Sequence, residues 1–431
     1  MKKDSTLAEW LAYLETLHPK AIAMGLDRVS AVYARLGVML TCPVITVGGT
    51  NGKGSTCALL ECMLRAGGYR VGAYTSPHLL HYNERVRVDA ADATDDALLE
   101  AFAAVESARL TTPLTYFEFG TLATLWMLAR ADLDVVVLEV GLGGRLDAVN
   151  VVDADVAIVT TVAIDHVDYL GTTREDIGRE KAGIFRSGAF AICADRRPPA
   201  TLLAQATAIR AKLLRIGIDY DFTAHDGQWS YRGPGGTRHG LPIPALRGAY
   251  QLANAATALA ALDVLRERLP VPMGAVREGL VSVELPGRLQ VLPGRPVTVL
   301  DVAHNPQAAA ALADSLGSMG FHPQTWAVFG IMADKDIGSV IAALLPRVDR
   351  WYVASLPPPR GATALDLRQR LETAGVAPAA IRDFNDPASA YRAAREAVAE
   401  ADRIIVFGSF LTVAAALALT DRRAARESPK G

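Results

Sequence analysis

The stretch Val44–Thr56, VITVGGTNGKGST, decides how the rest of the chain is read. Val44–Val47 is apolar and β-branched, as a buried strand requires. Glycines follow, then Lys53, then the hydroxyls of Ser55 and Thr56, and from Cys57 a helical pattern. Glycines let the backbone curl so that several N–H groups face inward, and the helix behind them adds the positive end of its dipole. A lysine in the loop supplies a point charge for terminal phosphates. The spacing nevertheless departs from G-x-x-x-x-G-K-[ST]: Val47 stands where the first glycine belongs, and Gly54 where a hydroxyl is expected. The segment is either a nucleotide site of a non-standard type or an ordinary glycine-rich turn. The lysine among the glycines, with a strand before it, favours the nucleotide.

Outward from this loop, 431 residues exceed one comfortable core and imply two or three domains. A formal net charge of −2 leaves no basic footprint for nucleic acid or an anionic membrane. The opening MKKDSTLAEWLAYLETLH is amphipathic and carries acids in place of an apolar signal core. No apolar run approaches the roughly 20 residues that span a bilayer, so a cytoplasmic protein is expected. Cys42, Cys57, Cys62 and Cys193 form no C-x-x-C pair, which points to small buried thiols and to neither zinc nor disulfides.

Leu7, Trp10, Leu11, Leu14 and Leu17 predict an opening helix, and Val29–Leu36 a second that ends at Gly37. Beyond the loop, helices are expected over 57–65, 98–105 and 119–129. They alternate with apolar strands at Val71–Tyr74, Val135–Val140 and Val156–Val162. Such alternation indicates a parallel sheet covered on both faces. Residues 198–245, with GPGG at 233–236, read as loop and short antiparallel strands. Leu252–Leu269 is an alanine-rich helix, and Val281–Pro296 reads as an interdomain connection. The rhythm then restarts, with strands at 297–302, 326–330, 350–354 and 403–407 and helices near 307–319, 337–345, 364–373 and 388–400. The predicted fold class is α/β: a P-loop-type, mostly parallel sheet domain over 1–290, then a smaller doubly wound, Rossmann-like domain over 291–431.

Three further clusters carry chemistry. Glu139 ends an otherwise apolar strand, and a buried carboxylate needs a partner. Either Mg²⁺ or Arg145 can serve. The glycines of GLGGRLDAVN after it allow close backbone approach to a ligand. His166 in IDHVDYLG, flanked by Asp165 and Asp168 after a buried strand, is a metal ligand or a structural histidine. Lys181 in REKAGIF reads, from spacing alone, as a surface lysine. At the domain junction stand Arg288, Asp301, His304 and Asn305. An arginine on a hinge with an acid and a histidine opposite suits closure over a nucleotide, whereas Asp301 and Asn305 also suit a turn. His225, His239 and His322 lie in loop-like stretches.

In this order, GGTNGKGST, YTSPHL, LTYFEFGT, LEVGLGGRLDAVN, IDHVDYLG, REKAGIF, LPGRLQ and LDVAHNP closely resemble the folylpolyglutamate synthase/dihydrofolate synthase family of Mur ligases. The similarity runs from the first helix to about Val413. The resemblance implies that Thr50, Asn51, Gly52, Lys53, Gly54 and Ser55, with Asn254, Arg288 and Asp301, bind ATP. It implies Ser76, Glu139 and His166 as ligands of Mg²⁺, two ions being expected, and a carbamylated Lys181 that supports the metal site. Lys53, Lys181 and His304 are then the candidate catalytic residues, His304 lying near the phosphates. The pterin end is expected near Ala21, Ile22, Ala23 and Met24, near Thr115, Tyr116, Phe117 and Glu118, and close to Arg145, Leu146 and Asp147. The implied reaction joins L-glutamate to dihydropteroate or to folates through an acyl phosphate, with ATP as co-substrate. Most of such catalysis is positioning and electrostatics, so no nucleophile triad is needed. A monomer is expected. The alternatives are a Mur enzyme acting on a nucleotide-sugar peptide and a P-loop kinase or NTPase; the second α/β domain argues against the kinase. One departure is Leu411, which occupies the histidine position of the GSFHTV pattern common among bacterial bifunctional members.

Overall fold

The computed structural model describes residues 5–420. It divides into two compact units: one takes the chain up to Ala245 with Gln251–Val283, the other Leu246–Tyr250 with the chain from Glu284 onward.

The first unit opens with α1 (Leu7–Thr16) and α2 (Asp27–Leu36). Thr6 and Glu9 close a reciprocal capping box on α1, and α2 stops where Gly37 turns left-handed at φ 63°. Then follow β1 (Val44–Gly48), α3 (Lys53–Ala66), β2 (Val71–Tyr74), β3 (Val86–Val88), β4 (Ala91–Asp92), α4 (Asp95–Arg109) and α5 (Tyr116–Arg130). The alternation continues through β5 (Val135–Glu139), β6 (Val156–Val159), α6 (Val167–Leu170), α7 (Arg174–Ala182), β7 (Phe190–Cys193), α8 (Ala200–Ala208) and β8 (Lys212–Arg215). These strands form one sheet in the order β4-β3-β2-β5-β1-β6-β7-β8, parallel from β2 to β8.

Val44, Val136, Leu138 and Ala157 share one face through the pairing register. There α1, α2, α4 and α5 pack around Trp10, Phe102 and Phe119, while α7 and α8 bring Ile177 and Leu202 to β6 and β7. The alternate register, Ile45, Val47, Val137 and Ile158, is fully buried as well. Both faces are therefore covered, which explains strands without polar alternation.

Past this sheet, β9 (Asp221–His225), β10 (Gln228–Gly233) and β11 (Gly236–Pro242) form a small antiparallel sheet, followed by α9 (Tyr250–Leu265) and α10 (Met273–Ser282). The stretch read as loop and antiparallel strands thus also holds α8 and the parallel strand β8. Ala200–Ala208 buries only Leu202 and Ala206, too few apolar anchors for a visible helical period. His225 and His239 sit on strands, exposed. Cys57 and Cys193 are buried, and Cys42 and Cys62 partly so.

In the second unit β12 (Gln290–Leu292), β13 (Val297–Asp301), α11 (Pro306–Ser318), β14 (Thr325–Phe329), α12 (Ile337–Leu344), β15 (Arg350–Ala354) and α13 (Ala364–Thr373) are followed by β16 (Ile381–Phe384), α14 (Pro387–Ala397), β17 (Arg403–Phe407) and α15 (Phe410–Thr420). The sheet order is β12-β13-β17-β14-β15-β16, and only β12 runs antiparallel. The segment read as a connection therefore contributes the end of α10 and an edge strand. Strand β16 escaped notice because it is an edge strand with Arg382 and Asp383 exposed. No helix among the described residues is long and apolar enough to cross a membrane.

The small antiparallel sheet is tied to α9 by one carboxylate. Asp263, fully buried, accepts from the Tyr231 hydroxyl at 2.8 Å and the Gly235 N–H at 2.9 Å, and pairs with Arg238 at 2.5 Å. Removing one partner of a buried pair leaves an uncompensated charge. Asp263→Ala is expected to lower the unfolding free energy by about 3 kcal/mol, read from denaturant unfolding.

Candidate active site

Strands β2, β5, β1 and β6 are neighbours whose carboxyl ends lie at one level: the register pairs Tyr74 with Leu138, Val47 with Glu139 and Gly48 with Val159. The segments leaving those ends are Thr75–Ser76, Val140–Asp147, Gly49–Gly52 and Thr160–His166. Ligands bind open parallel sheets on this side.

The glycine loop is shaped by close approach. Gly49 and Gly52 have φ of 141° and 90°. A side chain at Gly49 would run into the Thr160 hydroxyl, and a Cβ at Gly52 would come within 2.6 Å of Asn254 Oδ1. Both positions need glycine for conformation and for space. The loop is laced to the segment after β6: Thr50 N donates to Thr161 O at 2.7 Å, Asn51 N to Thr161 Oγ1 at 3.1 Å, and Thr160 Oγ1 to Asn51 O at 2.7 Å. Helix α3 begins at Lys53, earlier than expected, so the backbone N–H groups of Lys53, Gly54 and Ser55 lie in its first turn, where donors lack helical partners. Lys53 Nζ donates to Gly49 O at 3.1 Å and Thr50 O at 3.4 Å, which holds its charge over the loop. Asn254 Nδ2 donates to Gln251 Oε1 at 2.8 Å, and Gln251 Nε2 to Ser55 Oγ at 3.3 Å. Sequence reading missed Gln251. Its signal was a polar residue, one turn before Asn254, in an otherwise apolar helix.

Glu139 is 4 % exposed, and its Oε2 accepts from Ser76 N at 3.2 Å. Arg145, the alternative partner weighed for it, is instead held by Glu180, whose Oε1 accepts from Arg145 Nε at 3.0 Å and Nη2 at 2.8 Å. His166 caps the single turn α6 at φ 52°, a conformation that costs energy away from glycine and recurs at functional sites. Its backbone N–H donates to Asp165 Oδ1 at 2.8 Å. Among the described residues no three His, Cys, Asp or Glu side chains converge to hold an ion alone. Of the residues expected to hold metal, Ser76 and Glu139 are joined through the Ser76 backbone N–H, and the donor set of carboxylate, hydroxyl and imidazole is compatible with a divalent cation.

Lys181 is 3 % exposed, not the surface residue that spacing suggested. It lies one turn after the buried Ile177 on the inner face of α7, and that i, i+4 relation was the available signal. Burial, helped by the Lys53 charge, lowers the Lys181 amine from its usual 10.5 to about 7, against the pull of Asp165 and Asp147. Asp147 is buried too, with its oxygens accepting from Leu142 N at 2.8 Å and Val149 N at 3.0 Å, and burial raises its carboxyl to about 6.

The segments expected around the pterin come together in the first unit. Gly25 N, just after Ala21–Met24, donates to Leu146 O at 3.4 Å. Met24 packs against the apolar cluster that includes Leu170. Thr115 caps α5: Glu118 N donates to Thr115 Oγ1 at 3.2 Å and Thr115 N to Glu118 Oε2 at 2.7 Å. The Phe117 ring lies so close over Gly141 that any side chain there would overlap it. Both oxygens of Glu118 are engaged within the protein, the second by Arg28.

In the second unit Asp301 ends β13 and accepts from Leu289 N and Ala303 N, each at 2.8 Å, while burial raises its carboxyl above the usual range. Asn305 caps α11 through Ala308 N at 3.0 Å. The turn-forming role considered for this pair is thus present. The Arg288 guanidinium lies 5.1 Å from the centre of the Phe410 ring, and the His304 ring 6.4 Å from the same ring. Phe410 was not singled out from the sequence, although it precedes Leu411, which is 44 % exposed.

Two family models match the chain: the Mur ligase middle domain over residues 47–262 and the Mur ligase, glutamate ligase domain over residues 287–410. Among curated proteins, the chain is 47 % identical to the dihydrofolate synthase/folylpolyglutamate synthase of Escherichia coli strain K12, covering 97 % of this chain and 96 % of that one. Its counterpart from Haemophilus influenzae is 41 % identical, covering 96 % and 97 %. Among solved structures, E. coli FolC in complex with DHPP and ADP superimposes with a TM-score of 0.92 at 47 % identity, covering 99 % of this chain and all of that one. A bifunctional folylpolyglutamate synthase/dihydrofolate synthase with Mn, AMPPNP and L-glutamate bound gives 0.89 at 44 % identity, covering 97 % and 99 %. With the glycine loop, the buried Glu139 and Lys181 and the second α/β unit already in place, this full-length likeness shows that the chain belongs to the dihydrofolate synthase/folylpolyglutamate synthase family of Mur ligases.

Proposed function

We propose that this protein is an ATP-dependent ligase that joins L-glutamate to dihydropteroate and adds further glutamates to folates. The observation that carries the reading is a chain 47 % identical to a bifunctional relative along 97 % of its length, with a glycine–lysine loop and a buried carboxylate at the carboxyl ends of neighbouring strands and a buried lysine on α7. The first unit is the ATP-binding one. In it the N–H groups from Asn51 to Ser55 and the Lys53 ammonium bind the phosphates, and Asn254 lies beside Gly52. In the second unit, Arg288, Asp301 and His304 are read as nucleotide-binding residues from the family likeness.

In the first step a carboxylate oxygen of the substrate attacks the γ-phosphorus, and ADP leaves. Lys53 neutralises charge that grows on the transferring group. The amino group of glutamate then attacks the acyl carbon, loses a proton and displaces phosphate, forming the amide. Ser76, Glu139 and His166 hold divalent metal, two ions being the reading, which supplies Lewis-acid stabilisation of the phosphoryl oxygens when bound. An amine that is half neutral near pH 7 attacks CO2 and gives up a proton, so burial prepares Lys181 for carbamylation. The carbamate replaces a costly buried cation with an anion beside the metal ligands. Phe117 and Tyr116 offer ring faces for the aromatic substrate. The protein acts in the cytoplasm, as a monomer.

The deciding experiment is ADP release with ATP, Mg²⁺ and L-glutamate, run with dihydropteroate and separately with tetrahydrofolate. Glutamate-dependent release with both is expected; release that ignores glutamate overturns the ligase. Lys53→Ala should lower the rate by about a thousandfold, measured in the same assay. Glu139→Gln should shift the Mg²⁺ needed for half-maximal rate upward at least about tenfold, and an unchanged requirement would assign Glu139 to structure. In CO2-depleted buffer, activity should recover on adding bicarbonate above the Lys181 pKa of about 7 and recover poorly below it, where the amine is protonated. A Lys181→Arg variant should show no bicarbonate response.

A further inference from the structure

Resting on the function proposed above, we infer that Arg28 is a positioning residue for the dihydropteroate surface: its guanidinium fastens the loop before α2 to the first turn of α5. The backbone of Ala21–Met24 belongs to neither helix nor strand, so its shape depends on anchors from elsewhere. Arg28 Nη2 donates to the Ala23 carbonyl at 2.7 Å and to Glu118 Oε1 at 2.7 Å, and Nε approaches Glu118 Oε2 at 3.4 Å. That second oxygen accepts from Thr115 N at 2.7 Å, so the same carboxylate closes the cap of α5 and receives the arginine. Gly25 N, at the end of the loop, donates to Leu146 O at 3.4 Å. One side chain and one backbone bond thereby join three stretches distant in sequence, Ala21–Met24, Thr115–Glu118 and Arg145–Asp147, into a single surface.

The chemistry of the fork matters. A guanidinium presents donors in fixed directions and can serve a carbonyl and a carboxylate together, whereas an ammonium is a point charge without that geometry. Glu118, at 5 % side-chain exposure, also needs a positive partner to remain buried as a carboxylate. Arg28 itself keeps 26 % of its side chain exposed and binds through the protein. Its effect on substrate therefore passes through Ala23 and through the Tyr116–Phe117 turn that Glu118 holds in place.

The test uses the full-length protein with Arg28→Lys and Arg28→Ala, comparing KM for dihydropteroate, KM for ATP, kcat and the thermal midpoint. Arg28→Lys keeps a charge opposite Glu118 and should retain a midpoint near that of the parent. Even so, its KM for dihydropteroate should rise by about tenfold, the scale of one charge-assisted hydrogen bond. KM for ATP and kcat should each stay within about threefold. Arg28→Ala should raise KM for dihydropteroate further, and the lysine variant should partly rescue it. Unchanged KM for dihydropteroate in Arg28→Lys, or an equal rise in both KM values, would overturn the inference and leave Arg28 as a fold contact. Absence of dihydropteroate-dependent ADP release in the parent protein would overturn the function itself, which separates the two failures.

Discussion

The glycine loop can exist only because two of its residues have no side chain. Gly49 sits against the hydroxyl of Thr160, and Gly52 against the amide of Asn254, so the backbone is clamped between the strand ends and α9. That clamp fixes where the N–H groups of the loop and the Lys53 charge point. It also ties them to the segment that carries Asp165 and His166, because Thr50 and Asn51 bond to Thr161. A catalytic arrangement that works by positioning needs this kind of rigidity, since misplacement of a reacting group by about 1 Å can cost a hundredfold in rate.

Charge burial is the second theme. Glu139, Asp147 and Lys181 in the first unit and Asp301 in the second are all nearly inaccessible. Each carboxylate meets backbone N–H groups: Ser76 N for Glu139, Leu142 N and Val149 N for Asp147, Leu289 N and Ala303 N for Asp301. Backbone donors do not titrate, so these acids are held in place without cancelling the local field. Lys181 is stripped of water and faces the Lys53 charge, which together outweigh Asp165 and Asp147, and its depressed pKa is the consequence.

Elsewhere the same logic serves structure. Asp263 anchors the small antiparallel sheet, and Glu118 caps α5 while it receives Arg28. In each case one buried carboxylate satisfies donors from separate elements, so it orders several segments at once. Such hubs are costly to break because the stranded partner stays desolvated.

Much of this was legible in the sequence. Unbroken apolar runs at Val135–Leu138 and Val156–Val159 announced strands buried on both faces, and glycines with a lysine after Val44–Val47 announced a tight turn from strand to helix. A carboxylate at the end of such a run, Glu139, could be marked because local pattern alone makes it anomalous. The rest depended on contacts between residues far apart in the chain. Lys181 looked like a surface lysine since REDIGREKA is polar almost throughout, and only the packing of α7 turns that face inward. Arg28 and Gln251 carried no motif signal of their own, because their partners lie 90 and 196 residues away. Strand β16 and helix α8 were hidden for the opposite reason, having too little apolar content to show a period. Sequence by itself determined the periodicity, the backbone freedom and the charges available. Tertiary structure decided which charges lost their water, since desolvation belongs to the assembled neighbourhood and not to any residue alone.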